Sequence, residues 1–233
     1  VARLRERKRR VEKPFAVMMP DVETIERFCD VDDAARDLLQ SHERPIVLLP
    51  KKHSSPAADS VAPFNRFLGV FLPYTPLHHL LFAAGRFSAL VMTSGNLCEE
   101  PIAIDNREAL ERLRELSDFF LVHNRDILRR CDDSVLRVAA GRARLLRRSR
   151  GYVPVPVFLH KEVPAILAVG GELKNSICLT HGRNAFLSQH IGDLRLIVPG
   201  RCPSSRSCSK ASNKGRVLIS HSAPDCPGRI SSG

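Results

Sequence analysis

Four short segments carry residue types suited to holding an anion. In KRRVEKP, Lys8, Arg10 and Lys13 stand just before an apolar stretch. Three cations placed there could grip a triphosphate or a carboxylate. A solvated helix face would use the same residues. Thr93, Ser94, Gly95 and Asn96 follow the apolar run 89–92 directly. Two hydroxyls, a glycine and an amide at a strand end offer donors to a phosphate or carbonyl, and they also make an ordinary capped turn. In RRCDDSV, residues 129–135, Asp132 and Asp133 could hold Mg²⁺ or order the arginines around them, and Ser134 could donate to a phosphate. A polar turn before a strand is the alternative. In LLRRSRGYVP, Arg147, Arg148 and Arg150 come off a strand end and Gly151 closes the turn. Clustered guanidiniums suit bidentate phosphate contacts. An RNA-binding patch would use them too, but little aromatic interleaving supports it.

Other chemistry-bearing residues point to less. His78 and His79 are adjacent, so they face different sides of any helix or strand and are poorly placed to share a metal. Cys29, Cys98, Cys131 and Cys178 show no CxxC pairing, and Cys202, Cys208 and Cys226 lack a zinc spacing. The seven thiols favour a reducing, cytoplasmic setting over a disulfide framework, and no metal site is expected. Walker A, GxGxxG, HExxH and GxSxG motifs are absent from the sequence.

The elements that must position these residues follow from pattern. A helix-forming stretch at 2–10 leads into a strand at 15–19, then two short helices at 22–29 and 32–41, the second with carboxylates in its first turn. A strand is expected at 45–51, a strand, a proline-bounded turn and an apolar helix start within 67–82, a buried strand at 89–92, and a helix then a strand within 106–126. Leu110, Leu113 and Leu116 with Ala109 supply the apolar stripe of that helix. A hairpin is expected at 134–148 with its turn at Gly141. Residues 153–164 read as a proline-rich linker, and 165–194 as strand, Gly turn, strand, Gly turn, strand. Residues 195–233 have no aromatic side chain, and nine Ser, four Gly and four Pro among them, so disorder is expected.

Composition bounds the partners. The 233 residues carry a formal net charge of +11 with 43% hydrophobic residues, an ordinary globular balance. The charge is blocked: residues 1–14 hold +5, residues 125–150 hold +6 and residues 195–233 hold +6, while 15–124 hold −6. A basic balance of this size suggests nucleic acid or another polyanion as partner. No apolar run is long enough to span a bilayer, so no membrane partner is expected.

Order and wording together carry more than any single motif. KRRVEKPFAVMMP, GVFLPYTPLHHLLF, VMTSGNLCEEPI, HNRDILRRCDDSVLR, LLRRSRGYVPVPV and ILAVGGELKNSICL…AFLSQHIGDL occur in that order. In these strings the chain resembles the HypF family of hydrogenase-maturation carbamoyltransferases, over residues 1–194. The resemblance implies an α/β (α+β) protein. Residues 1–158 would be a YrdC-like domain, a twisted mixed sheet with flanking helices, lacking its first strand and so exposing an edge. Residues 159–194 would be the first hairpin strands of a truncated C-terminal carbamoyltransferase domain of actin/hexokinase-type ATPase fold. Residues 195–233 match nothing in the family, and their bias suggests translation in another reading frame. The family's acylphosphatase-like and zinc-finger-like modules have no counterpart in this sequence.

The resemblance also implies a mechanism. The YrdC-like domain joins carbamate, released from carbamoyl phosphate, to ATP, giving carbamoyl adenylate and pyrophosphate. The carbamoyl group then goes to the C-terminal Cys of the partner HypE. Lys8 and Arg10 match the family's Lys-x-Arg element near carbamate, and are the expected catalytic residues. Lys13, Thr93, Ser94, Gly95, Asn96, Asp133, Ser134 and Arg148 or Arg150 are the expected nucleotide contacts, with Mg²⁺ on the phosphates. Gly171, Lys174 and Asn175 match the first nucleotide turn of the truncated domain. Impaired activity is expected of so short a version. A YrdC-like module for double-stranded RNA or tRNA, or for threonylcarbamoyl adenylate, is the alternative.

Overall fold

The structure is a computed structural model that describes residues 1–97, 100–171, 175–189, 191 and 218–220. It divides into two compact units, Val1–Tyr152 and Val153–Gly233.

The first unit is a six-stranded mixed sheet with helices. Its strands are β1 (Ala16–Met18), β2 (Ile46–Pro50), β3 (Phe67–Phe71), β4 (Leu90–Met92), β5 (Val135–Ala139) and β6 (Arg142–Arg147). They lie in the order β4-β1-β3-β2-β5-β6. β1 runs parallel to β3, and β4 antiparallel to β1. β2 is antiparallel to β3 and parallel to β5, and β6 returns antiparallel on β5. Two consequences matter for function. The segment before β1 and the segment after β4 meet at one end of the sheet. The segments before β5 and after β6 meet at the opposite end.

Period-two alternation sends neighbouring residues to opposite faces. One face is sealed. Val17, Met19, Val47, Leu49, Leu68, Val70 and Leu72 pack there against Val22, Ile25 and Phe28 of α2 (Val22–Phe28) and Ala35 and Leu39 of α3 (Asp33–Gln40). Both helices start on an aspartate that accepts the amide three residues on, Asp21 from Thr24 and Asp32 from Ala35, each at 2.7 Å. This capping satisfies an otherwise orphaned helix donor. The opposite face is half open. Met18, Ile46 and Phe71 are buried there, while Ala16, Leu48, Leu90, Met92 and Val135 are only partly covered. Phe82, from α4 (Pro76–Ala84), is the helical side chain packed on this face. α4 begins with Pro76 at its first turn, and the Thr75 hydroxyl accepts from His78 N at 3.2 Å.

The β5–β6 hairpin forms as expected, turning through Ala140 and Gly141, both at positive φ. Three expectations need correction. The run 89–92 is not a buried strand but an edge strand, each residue of β4 half-exposed. No strand follows α5 (Asn106–Arg112): Phe119, Leu121 and Val122 are exposed and pair with nothing in a sheet. Apolar content alone cannot make a strand without a sheet edge to receive it. In the expected stripe, Leu113 and Leu116 are buried but Leu110 is exposed.

The second unit is a four-stranded antiparallel sheet, β10-β8-β9-β7. Its strands are β7 (Val157–Val163), β8 (Ile166–Val169), β9 (Ile177–Leu187) and β10 (Leu218–Ser220). The expected linker is therefore mostly strand β7, because no proline interrupts the VFLHKEV run between Pro156 and Pro164. The second expected Gly turn is also absent: Gly182, at φ +58, sits inside one continuous strand. β10 pairs with β8 through Leu218, Ile219 and Ser220. The rest of 195–233 lies outside the described residues, as does Lys174.

Candidate functional site

The first sheet end is assembled from residues more than eighty positions apart. α1 (Ala2–Arg7) ends at Lys8, and Arg9 takes a left-handed φ of 51°, which turns the chain toward β1. Lys8 is only 4% exposed. Its ammonium donates to the Ser94 carbonyl at 2.6 Å and to Asn96 Oδ1 at 3.3 Å. Arg10 donates to the Thr93 hydroxyl at 3.0 Å, to the Lys13 carbonyl at 2.9 Å and to the Pro14 carbonyl at 2.5 Å. Ser94 Oγ donates to Asn96 Oδ1 at 2.7 Å, and Asn96 Nδ2 to the Glu100 carbonyl at 2.7 Å. Gly95 accepts the Ala103 amide at 2.9 Å, which holds the loop shut on itself. Two cations, two hydroxyls and a carboxamide thus share one corner, where positive charge and short donors can be presented to an anion. Lys13 differs: its side chain is exposed, and its carbonyl serves the corner instead.

One positioning residue escapes sequence reasoning. Arg5 donates to the carbonyls of Arg10 at 2.8 Å, Val11 at 3.1 Å and Lys13 at 3.3 Å, and to those of Ser60 at 2.6 Å and Val61 at 3.1 Å. It thereby fixes the loop that carries Arg10. The guanidiniums of Arg5 and Arg10 also lie 4.7 and 4.6 Å from the centre of the Phe15 ring. Such contacts are favourable by about 0.5–2 kcal/mol each. Nothing in the spacing of Arg5 signals this, since it resembles its charged neighbours.

The opposite sheet end gathers Asp133, Ser134 and Arg150, but uses them differently. Ser134 is fully buried. Its hydroxyl accepts the Ser149 amide and donates to the Arg150 carbonyl, both at 2.8 Å. Arg150 donates to Asp133 Oδ1 at 2.7 Å and to the carbonyls of Glu43 at 2.8 Å and Arg44 at 2.7 Å. Its guanidinium also lies 3.4 Å from the centre of the Tyr74 ring. Ser134 and Arg150 therefore tie loops together in this structure, the Ser134 hydroxyl and three guanidinium hydrogen bonds of Arg150 being directed at protein groups. Arg148 is half-buried, and that burial draws its guanidinium below the ordinary arginine range. Gly151 follows at φ +88, where a Cβ would lie 2.7 Å from Glu43 Cβ.

In the second unit Asn175 is 2% exposed, and Gly171 is exposed, with room for an added Cβ. Among the described residues no group of three or more His, Cys, Asp or Glu could hold a metal ion. No described helix is long and apolar enough to cross a membrane.

The fold and its corner define a class: a mixed α/β domain that presents cations and hydroxyls at one sheet end. The Sua5_yciO_yrdC family, described as telomere recombination, matches residues 1–149, and the chain belongs to it. A second family, the HypF Kae1-like domain, matches residues 161–198. The chain is 47% identical over 211 residues to carbamoyltransferase HypF2 of Cupriavidus necator, covering 83% of this chain and 26% of that protein. It is 45% identical over 195 residues to carbamoyltransferase HypF of a Synechocystis species, covering 83% of this chain and 25% of that protein. A crystal structure of full-length HypF in a phosphate- and nucleotide-bound form shares 54% identity at a TM-score of 0.78, covering 83% of this chain and 30% of that one. The chain thus matches about a quarter of the length of these curated relatives. A solved neighbour, P. abyssi Sua5 complexed with L-threonine, shares the fold at a TM-score of 0.55 and 16% identity, over 66% of this chain and 44% of that one.

Proposed function

We propose that the first unit forms carbamoyl adenylate from carbamate and MgATP. The observation that carries this reading is the meeting of Lys8 and Arg10 with Thr93, Ser94 and Asn96 at one sheet end. A carbamate oxygen attacks the α-phosphorus, the bond to the pyrophosphate bridge breaks, and pyrophosphate leaves with the electron pair. Two anions must approach each other for this step, and negative charge builds on the leaving group. Buried or immobilised cations reduce that repulsion without reorganising at the moment of reaction. Lys8 and Arg10 fill that role, while Thr93, Ser94 and the Gly95 backbone hold phosphate oxygens in line. Magnesium arrives on the triphosphate, held mainly by its oxygens, as expected where a protein offers few carboxylates of its own.

The similarity to HypF supports the carbamoyl group over other acyl groups. In that context the acceptor we propose is the C-terminal cysteine of HypE: its sulfur attacks the carbamoyl carbon and AMP leaves. The setting proposed is the cytoplasm, in maturation of NiFe hydrogenase. A chain spanning a quarter of the HypF relatives is proposed to retain the adenylation half-reaction at reduced rate. Pyrophosphate–ATP exchange tests it. Exchange that requires carbamate is the expected result. Exchange that threonine with bicarbonate supports and carbamate does not would replace this function with the threonylcarbamoyl alternative.

A further inference from the structure

The Lys8–Arg10 corner accounts for the anionic part of a nucleotide and leaves its neutral part unassigned. From that corner the half-open face of the first sheet runs past the partly covered Ala16 on β1, over the fully buried Met18 and Phe71, toward the partly covered Tyr74 beyond β3. From Pro14 to Met19 this is roughly 17 Å, at about 3.3 Å per strand residue. An extended nucleoside triphosphate with its phosphates at the corner lays its nucleoside at the far end.

At the far end stands His78, on the first turn of α4. It is separated by one helical turn from Phe82, which packs on the same sheet face. The His78 ring meets the Tyr74 ring edge-on at 4.6 Å, and Tyr74 is itself pinned between Phe71 and the Arg150 guanidinium. The imidazole is therefore held on a fixed aromatic support. Its Nδ1 is buried, yet has no hydrogen-bond partner among the described residues. Buried polar atoms are rarely left so, because each costs about 1–3 kcal/mol of lost solvation. Burial also draws the imidazole toward its neutral form, against the pull of Asp133 and with that of Arg150 and His79. A neutral ring suits an uncharged group.

We propose that His78 is a specificity residue for the nucleoside, its Nδ1 forming a hydrogen bond with a ribose hydroxyl or a base edge. This rests on the nucleotide reading above. His78→Asn places an amide near the position of Nδ1, and His78→Gln places it near that of Nε2. Calorimetric titration of the full chain with ATP and with inorganic triphosphate tests the assignment. ATP is expected to bind wild type and His78→Asn within about threefold of each other, and His78→Gln roughly five- to thirtyfold more weakly, the range for one unpaired buried group. Inorganic triphosphate, which has no nucleoside, is expected to bind all three alike. Equal ATP affinity in the two variants overturns the assignment, as does a parallel loss for ATP and triphosphate. If wild type binds triphosphate and ATP alike, the nucleoside contact is absent and His78 has no such role. If wild type binds neither, the nucleotide reading itself fails, and the His78 assignment with it.

Discussion

The two ends of the first sheet carry similar residue types and use them in opposite ways. At the Lys8 end, side chains from two distant segments converge on a loop of hydroxyls and carbonyls. At the Ser134 end, the serine hydroxyl and the Arg150 guanidinium are spent on Ser149, Asp133, Glu43 and Arg44. Under the proposed function the first end meets the substrate anions, while the hydrogen bonds of Ser134 and Arg150 at the second hold loops together.

That contrast is most sharply broken by exchanging the cations. Lys8→Met and Arg10→Lys are expected to lower carbamate-dependent pyrophosphate exchange by roughly 10²–10³, the loss seen when one charge-stabilising donor is removed. Arg10→Lys keeps the charge but gives up carbonyl contacts to Lys13 and Pro14, so its exchange rate is compared per folded molecule. Ordinary exchange rates in both variants would place the chemistry elsewhere. Ser134→Ala is expected to do the reverse. It leaves the Ser149 amide and the Arg150 carbonyl without their partner, at a stability cost of about 1–3 kcal/mol. Denaturant titration measures that cost, and exchange per folded molecule should stay near wild type. A stable Ser134→Ala protein with no exchange would erase the distinction between the two ends.

A smaller effect comes from alkali. Burial pushes the Cys29 thiol and the Tyr74 phenol each up to about 12. Both raised values favour the neutral form in the folded state. Their stabilisation is complete below the unfolded values, near 8.5 and 10, and is lost as pH rises through those toward 12. Denaturant midpoints are expected to fall steadily above pH 9. Phe substitution at Tyr74 should flatten the upper part of that fall, and Cys29→Ala the lower part. The smallest effect is expected at the exposed hairpin, where Arg137 lies directly opposite Arg144. Like charges so placed repel, so Arg144→Ser should shift stability by no more than about 0.5 kcal/mol, in the stabilising direction. If Arg144→Glu abolishes salt-sensitive RNA binding while exchange persists, RNA affinity belongs to the hairpin and not to the Lys8 corner.

Much of the first unit was legible because its strands and helices carry local signals. Asp21 and Asp32 announce helix starts, and prolines at 45, 63 and 73 flank β2 and β3. The failures share a cause. Phe119, Leu121 and Val122 look like a strand, and residues 153–164 look like a linker, until sheet edges decide which run is received. The pairing of Lys8 with Ser94 was equally out of reach of spacing, since it depends on β1 and β4 lying side by side. The wording of the motifs supplied those residues; only the topology shows that Arg150 looks inward, and that Arg5 holds Arg10 in place.

Gly141 and Gly151 lie ten positions apart, and both take a left-handed backbone, at φ +66 and +88. Around Gly141 there is nothing within 4 Å of an added Cβ, whereas at Gly151 the Glu43 backbone lies 2.9 Å away. Substitution at the first meets only the conformational penalty, which asparagine and aspartate tolerate best. Substitution at the second meets that penalty and a backbone that cannot step aside. In a saturation library position 141 should therefore accept a few polar residues, while position 151 should tolerate glycine alone, although it bears no side chain with which to do chemistry.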